Sequence, residues 1–224
     1  MTLALDGSDV QNGNSTTSVV FTLSTTNTND IIYVCVKYNT TVPTISDTAG
    51  LTWTTRQSQT SDDVITFYAV SAAALSSNTI TVTGSASIDL CGVAFGISGA
   101  DTSTKFDSNA SIPAVNTNDT SATSLYNTIS TSNADDFIIN IVYTQQNVTN
   151  TPSIGSLTVT TIGKAVDTSN SVALAVYYAV ASATQSSISV GASFSTAVTS
   201  GCTVLTDAVI AGTATAYKSL LLAC

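Results

Sequence analysis

The feature that most constrains this chain is that it repeats itself. Leu23-Ser24-Thr25-Thr26-Asn27-Thr28-Asn29-Asp30-Ile31-Ile32 recurs as Ile129-Ser130-Thr131-Ser132-Asn133-Ala134-Asp135-Asp136-Phe137-Ile138, an offset of 106 residues. Phe67-Tyr68-Ala69-Val70-Ser71-Ala72 matches Tyr177-Tyr178-Ala179-Val180-Ala181-Ser182 at an offset of 110, and Ser76-Ser77 matches Ser186-Ser187 at the same offset. Cys91 and Cys202 fall at 111. The order is kept while the offset drifts, as small loop insertions in a duplicated unit would produce. The reading is a first half at 1–100, a linker at 101–120 that holds Pro113, and a second half at 121–224. The halves would pack as one sandwich domain or stand as two.

Each half reads as strands. Ile31–Tyr38 is strongly apolar, Val64–Val70 alternates, and Thr79–Thr83 is a Thr/Ile/Val run. Phe137–Tyr143, Val172–Val180 and Cys202–Ile210 are their kind in the second half. Polar turns separate them every 8 to 15 residues or so, the spacing of a sandwich rather than of helices. The expected fold is all-β: an antiparallel β-sandwich, jelly-roll or Ig-like, built from a duplicated strand pattern. Thr and Ser supply 40 and 32 of the 224 residues, so the polar faces of these strands carry hydroxyls instead of charges.

The rest of the inventory works by exclusion. The chain has no His and no Glu, 14 Asp, four Lys and one Arg. Without His there is no Ser-His-Asp or Cys-His catalysis and no imidazole metal site, so an enzyme is not expected. A net charge of -9 leaves no electrostatic footprint for nucleic acid. No apolar stretch is long enough for a membrane-spanning helix. Thr2–Asp6 after Met1 has neither the basic start nor the apolar core of a signal peptide, so the expectation is that a leader has been removed or that none is used.

Several residues are candidates for chemistry or assembly. Cys35 and Cys91 lie in apolar strands, either as buried thiols or as a disulfide. Asp62-Asp63 and Asp135-Asp136 are paired carboxylates, but neighbours on a strand point to opposite faces, which favours a turn role. The loop Asp101–Asn109 offers hard oxygen ligands of the kind a structural Ca2+ takes; no other cofactor is expected. The sequons at Asn14, Asn39, Asn109, Asn118 and Asn147 are no more than this Ser/Thr content yields by chance. Most aromatics read as core, with Trp53, beside a turn, the best ligand contact. At the ends, Thr2, Leu3, Ala4 and Leu5 precede a flexible-looking stretch, and Leu220, Leu221 and Leu222 form an apolar tail. Either is a candidate strand for pairing with a neighbouring subunit.

Taken in order, the elements resemble a β-sandwich module, jelly-roll or Ig-like, found in phage structural proteins and secreted surface proteins. The residues that carry the likeness are Leu5-Asp6, Ser18–Leu23, Asn27–Asp30, Ile31–Tyr38, the turn Ser46-Asp47-Thr48-Ala49-Gly50-Leu51-Thr52-Trp53, Phe67-Tyr68-Ala69, Thr79–Thr83 and Ser98-Gly99-Ala100-Asp101. The first half follows the pattern closely; the second lacks the Trp. The resemblance implies a structural or binding role. The leading expectation is a non-enzymatic virion subunit, a head decoration or tail appendage protein at the virion surface, with copies of itself or other structural subunits as partners. The alternatives are a secreted extracellular filament or surface-layer subunit assembling by strand exchange, and a carbohydrate-binding adhesin module at the cell surface with glycans as partners.

Overall fold

The computed structural model describes residues 2–13, 16–39, 41–88, 90–167 and 171–213. Among them are sixteen strands, antiparallel wherever they pair, and no helix. The first eight are β1 (Ala4–Gln11), β2 (Thr16–Leu23), β3 (Asp30–Lys37), β4 (Thr44–Asp47), β5 (Thr54–Gln59), β6 (Val64–Ser71), β7 (Asn78–Ile88) and β8 (Cys91–Ser98). The second eight are β9 (Ala114–Asn118), β10 (Ala122–Ile129), β11 (Asp136–Thr144), β12 (Asn150–Ile154), β13 (Thr160–Asp167), β14 (Val172–Ala181), β15 (Ile188–Val198) and β16 (Cys202–Ile210).

The duplication holds strand for strand. The first lobe has a five-stranded sheet in the order β1-β8-β3-β6-β5 and a three-stranded sheet β2-β7-β4. Adding eight to each number gives β9-β16-β11-β14-β13 and β10-β15-β12, the two sheets of the second lobe. The orders β1-β8-β3-β6 and β2-β7-β4 are those of a jelly roll, except that β5 pairs with β6 rather than with β4.

The two five-stranded sheets face each other, so the molecule is a stack of four sheets with the small ones outermost. This explains why β3, β8, β11 and β16 are buried along their whole length. Alternate residues of one strand serve two cores. Ile31, Tyr33 and Cys35 join Phe95, Phe137, Ile139, Leu174 and Leu205 in the layer between the lobes. Ile32, Val34 and Val36 join Phe21, Phe67 and Ile80 in the first lobe's own core. Each large side chain fully removed from water this way contributes about 1.5–3 kcal/mol. The central layer is the largest core in the molecule and belongs to neither half alone.

The lobes meet through corresponding edge strands. β13 packs on β8 and β1. On the other side β5 reaches β16 through Arg56 and β9 through Gln57. On the outer faces the inward Val19, Phe21, Ile80 and Val82 leave Ser18, Val20 and Thr22 of β2 beside Thr79, Thr81 and Thr83 of β7. Ser124, Tyr126 and Thr128 beside Ser193, Gly191 and Ser189 repeat the arrangement at the far end. Both faces are rows of hydroxyls around one larger residue, and neither set includes a charged residue.

Three expectations are corrected. Residues 101–120 are not simply a linker: Phe106 bridges Val209 and β9 pairs β16, as Leu5 pairs Ile97 in β1. The Pro, Asn and Asp there mark an excursion within the second lobe's first strand. Asp6–Thr17 is not a flexible leash. Its described part continues β1 through a bulge and enters β2, so Ala4 and Leu5 lie in their own sheet opposite Ser98 and Ile97, and Leu3 is buried. Finally, Cys91 and Cys202 are not equivalent. Lys37 faces Cys91 and Tyr143 faces Thr203, which puts Cys202 one place earlier on the opposite face. Leu220, Leu221 and Leu222 lie outside the described residues.

Candidate functional site

A groove of about 790 Å³ lies at one end of the first lobe. One wall is the β4–β5 loop, the other the β6–β7 loop, with Tyr68, Val70 and Lys105 between them. The loop Thr48–Trp53 has its shape because Asp47 gathers it. Its carboxylate accepts the Ala49 N–H at 2.7 Å, the Leu51 N–H at 3.1 Å and the Trp53 Nε1–H at 2.7 Å. Gly50 takes the left-handed conformation the turn requires, with φ of 75°. Asn78 Oδ1 accepts from Ala49 N and Thr48 Oγ1, both at 2.9 Å, which pins this wall to β7. The opposite wall is fixed by Leu75 N–H donating to Thr25 Oγ1 at 2.9 Å. The groove is thus a preformed surface of hydroxyls and small side chains with an apolar floor. Lys105 is the one charged residue among those lining it.

Behind the groove the chain's single arginine is held between the lobes. Arg56 Nε and Nη2 each donate at 2.8 Å to the two oxygens of Asp207, a bidentate pair, and Tyr33 OH donates to Asp207 at 3.0 Å. The guanidinium lies 3.9 Å from the centre of the Phe106 ring, which packs edge-on against Tyr68. Burial pushes the Asp207 carboxyl up, against the guanidinium, the Tyr33 hydroxyl and the Ala208 N–H. A second polar contact crosses the same layer: Thr203 Oγ1 donates to Asp62, and Lys37 Nζ sits 5.5 Å over the Tyr143 ring and 3.7 Å from Asp63.

The third arrangement occurs twice. Asp6 accepts the N–H groups of Thr26 and Asn27, the Thr26 hydroxyl and Asn27 Nδ2, all within 3.0 Å. Asp107 accepts the N–H groups of Ser132 and Asn133 and Asn133 Nδ2, all within 2.9 Å. Behind each lies a wholly buried carboxyl, Asp30 and Asp136, with no hydrogen bond to either oxygen in the geometry shown. Burial and then the Asp6 carboxylate push Asp30 up to about 6. Burial, with Asp107 and Asp135 adding to it, pushes Asp136 up to about 7, against the Thr131 hydroxyl. Burial alone would raise Asp6, but the four hydrogen-bond donors outweigh it and bring it down to about 2.

The remaining candidates are placed as follows. Cys35 and Cys91 lie on adjacent strands but diagonally, opposite Val93 and Lys37, and both are buried as thiols, so the disulfide is not formed. Burial raises the Cys35 thiol well above its usual value and Cys202 to about 11, so neither is a nucleophile. Trp53 is half-buried against the first lobe's core, its N–H taken by Asp47, and it does not line the groove. Asp135 is exposed and Asp136 wholly buried, so the two carboxyls do not converge on one point, although Asp135 adds to the effect of Asp107 on Asp136. In the loop Asp101–Asn109 the Ser103 hydroxyl and the Ser103 and Thr104 N–H groups hold Asp101, so that carboxylate faces its own backbone. Among the described residues no cluster of three acidic or Cys side chains gathers around a metal-sized space.

Sequence reasoning missed Arg56–Asp207 and both carboxyl pairs. The first has no local signal, its partners being 151 residues apart. The second had one: Asn and Asp three residues apart in the repeat, at Asn27/Asp30 and Asn133/Asp136. Comparison of the chain with protein-family models, with curated proteins and with solved structures finds no match.

Proposed function

We propose that this protein is a non-enzymatic structural subunit of a virion, a head decoration or tail appendage component that works through its outer surfaces. The observation that carries this reading is the use of charge. Arg56 and Lys37 are committed to the layer between the lobes, while both outermost sheets present uncharged hydroxyl rows. Such a body is rigid inside and weakly charged outside, suited to packing against copies of itself or other structural subunits. The test is electron microscopy of the purified protein, alone and mixed with particles from its source. Monomers or small closed oligomers that decorate particles support the reading; fibres that grow from the protein alone overturn it in favour of an extracellular filament.

The groove favours a second reading, a carbohydrate-binding adhesin module. Its size falls within the range of small-ligand sites, its hydroxyls match those of a sugar, and Lys105 selects a sugar carrying a carboxylate. A glycan array that includes acidic sugars tests this. Binding lost in Lys105→Ala supports it, and an array without hits removes it.

A further inference from the structure

We propose that Asp6–Asp30 and Asp107–Asp136 are duplicated proton-sharing locks that fit this molecule to work in an acidic medium. In each lobe one carboxylate is caged by the N–H groups of the turn before the central strand, and a second carboxyl is buried behind it with no cation beside it. Burial without a hydrogen-bond donor, next to a group that carries negative charge, disfavours ionisation of the second carboxyl. Asp6 holds the charge, its four donors bringing it down to about 2, and the donors around Asp107 are of the same kind. The buried member holds the proton, and its O–H is the donor that suits a neighbouring carboxylate. The charged groups acting on Asp30 and Asp136 are all acidic: Asp6 on one, Asp107 and Asp135 on the other. The neighbouring strands add no charge at these points, since Asp30 lies opposite Ser71, and Asp136 lies between Ala181 and Ile210. Thr25 and Thr131 accept the Leu75 and Gln185 N–H groups and draw Asp30 and Asp136 down, too weakly to offset burial. The same cage and the same buried acid occur in both lobes, together with the turn contacts of Thr25 and Thr131, which marks the pair as part of the repeated design.

The direction of the effect follows from proton counting. Between about 4 and the folded values of about 6 and 7, the native state holds protons on Asp30 and Asp136 that the unfolded chain has released. Stability from these groups is therefore complete below about pH 4 and is lost as pH rises through 6 and 7. Asp6 acts oppositely, but its loss begins only as pH falls toward 2. With no His in the chain, no imidazole titrates across the same window.

The experiment is calorimetric melting from pH 3 to 9 of the whole protein and of Asp30→Asn, Asp136→Asn and the double variant. Infrared titration of protonated carboxyls in the unaltered protein accompanies it. The expected result is a Tm that is highest near pH 4 and falls by several degrees by pH 8. The fall should be reduced in each single variant and smallest in the double, because an amide donates to the caged carboxylate without ionising. Two carboxyls that keep their protons past pH 5 should appear in the infrared. A Tm that is flat or rises from pH 5 to 8, or an infrared titration complete by pH 5, overturns the proposal. An infrared titration complete by pH 5 overturns the proposal even where a variant fails to fold, and the signals lost in Asp30→Asn and Asp136→Asn separate these carboxyls from Asp62 and Asp207, which burial also raises.

Discussion

Arg56 and Ile162 occupy the same place in the two lobes, and they have become opposites. Each is the bulged residue of the strand that pairs with the lobe's second aromatic strand, between Thr55 and Gln57 in one case and between Thr161 and Gly163 in the other. Their pseudo-symmetric counterparts across the central layer are Asp207 and Phe95, which face Ile139 and Tyr33 at matching positions. One end of the layer is therefore closed by a bidentate ion pair and the other by apolar packing of Ile162 in the common core. Duplication preserved the backbone down to a one-residue bulge while the chemistry at that bulge diverged. The lesson is that the pair orients. Two apolar ends would let similar sheets meet in more than one register, whereas a buried charge with one acceptor fixes a single arrangement.

The comparison breaks most severely if one charge is left alone. Asp207→Ala should cost about 3–5 kcal/mol by stranding Arg56 in the layer. Chemical denaturation measures it, and a loss below about 1 kcal/mol would mean that Arg56 finds water instead. Replacing both partners, as Arg56→Met with Asp207→Leu, makes the ionic end resemble the apolar one. Stability should then return to within about 1 kcal/mol of the original or exceed it, and a loss as large as that of Asp207→Ala would show that the ion pair itself is a net stabiliser. A smaller contrast separates the β4–β5 loop, tied by Asp47 to Trp53, from its counterpart, where Ile154 and Val159 stand at those places. Asp47→Ala should cost about 1–3 kcal/mol, because it orphans several donors, and should shift Trp53 fluorescence; an unshifted spectrum would put the indole under packing control alone. The smallest effect is expected on the outer faces. Thr81→Ser should stay within about 0.5 kcal/mol, and a larger loss would mean that this face is not simply solvated.

How much of this was legible depended on whether the signal was local. The repeat from Leu23 to Ile32 was readable because Ser24, Thr25, Asn27 and Asp30 all belong to one turn whose contacts recur in the second lobe. The all-β architecture followed from strands short enough to be recognised one at a time. What escaped was set by distant partners. Asp6 completes a turn twenty residues away, and β9 is recognisable as a strand only once β16 lies beside it. The alignment of Cys91 with Cys202 failed by a single residue, which on a strand is enough to exchange one face for the other. Trp53 looked available because it followed a turn, and only the Asp47 carboxylate opposite its N–H explains why it is held inward.

The pairing of β1 with β8 has a consequence in time. The first lobe joins its opening strand to its last, so it closes only after the chain has emerged as far as Ser98. At that moment Tyr33, Val93, Phe95 and Ile97 face outward with no second lobe to cover them. Until Phe137, Ile139 and Leu205 have been made, the nascent chain presents a wide greasy sheet to everything around it. Synthesis speed over the second hundred residues thus sets how long the newborn protein is prone to stick to its neighbours.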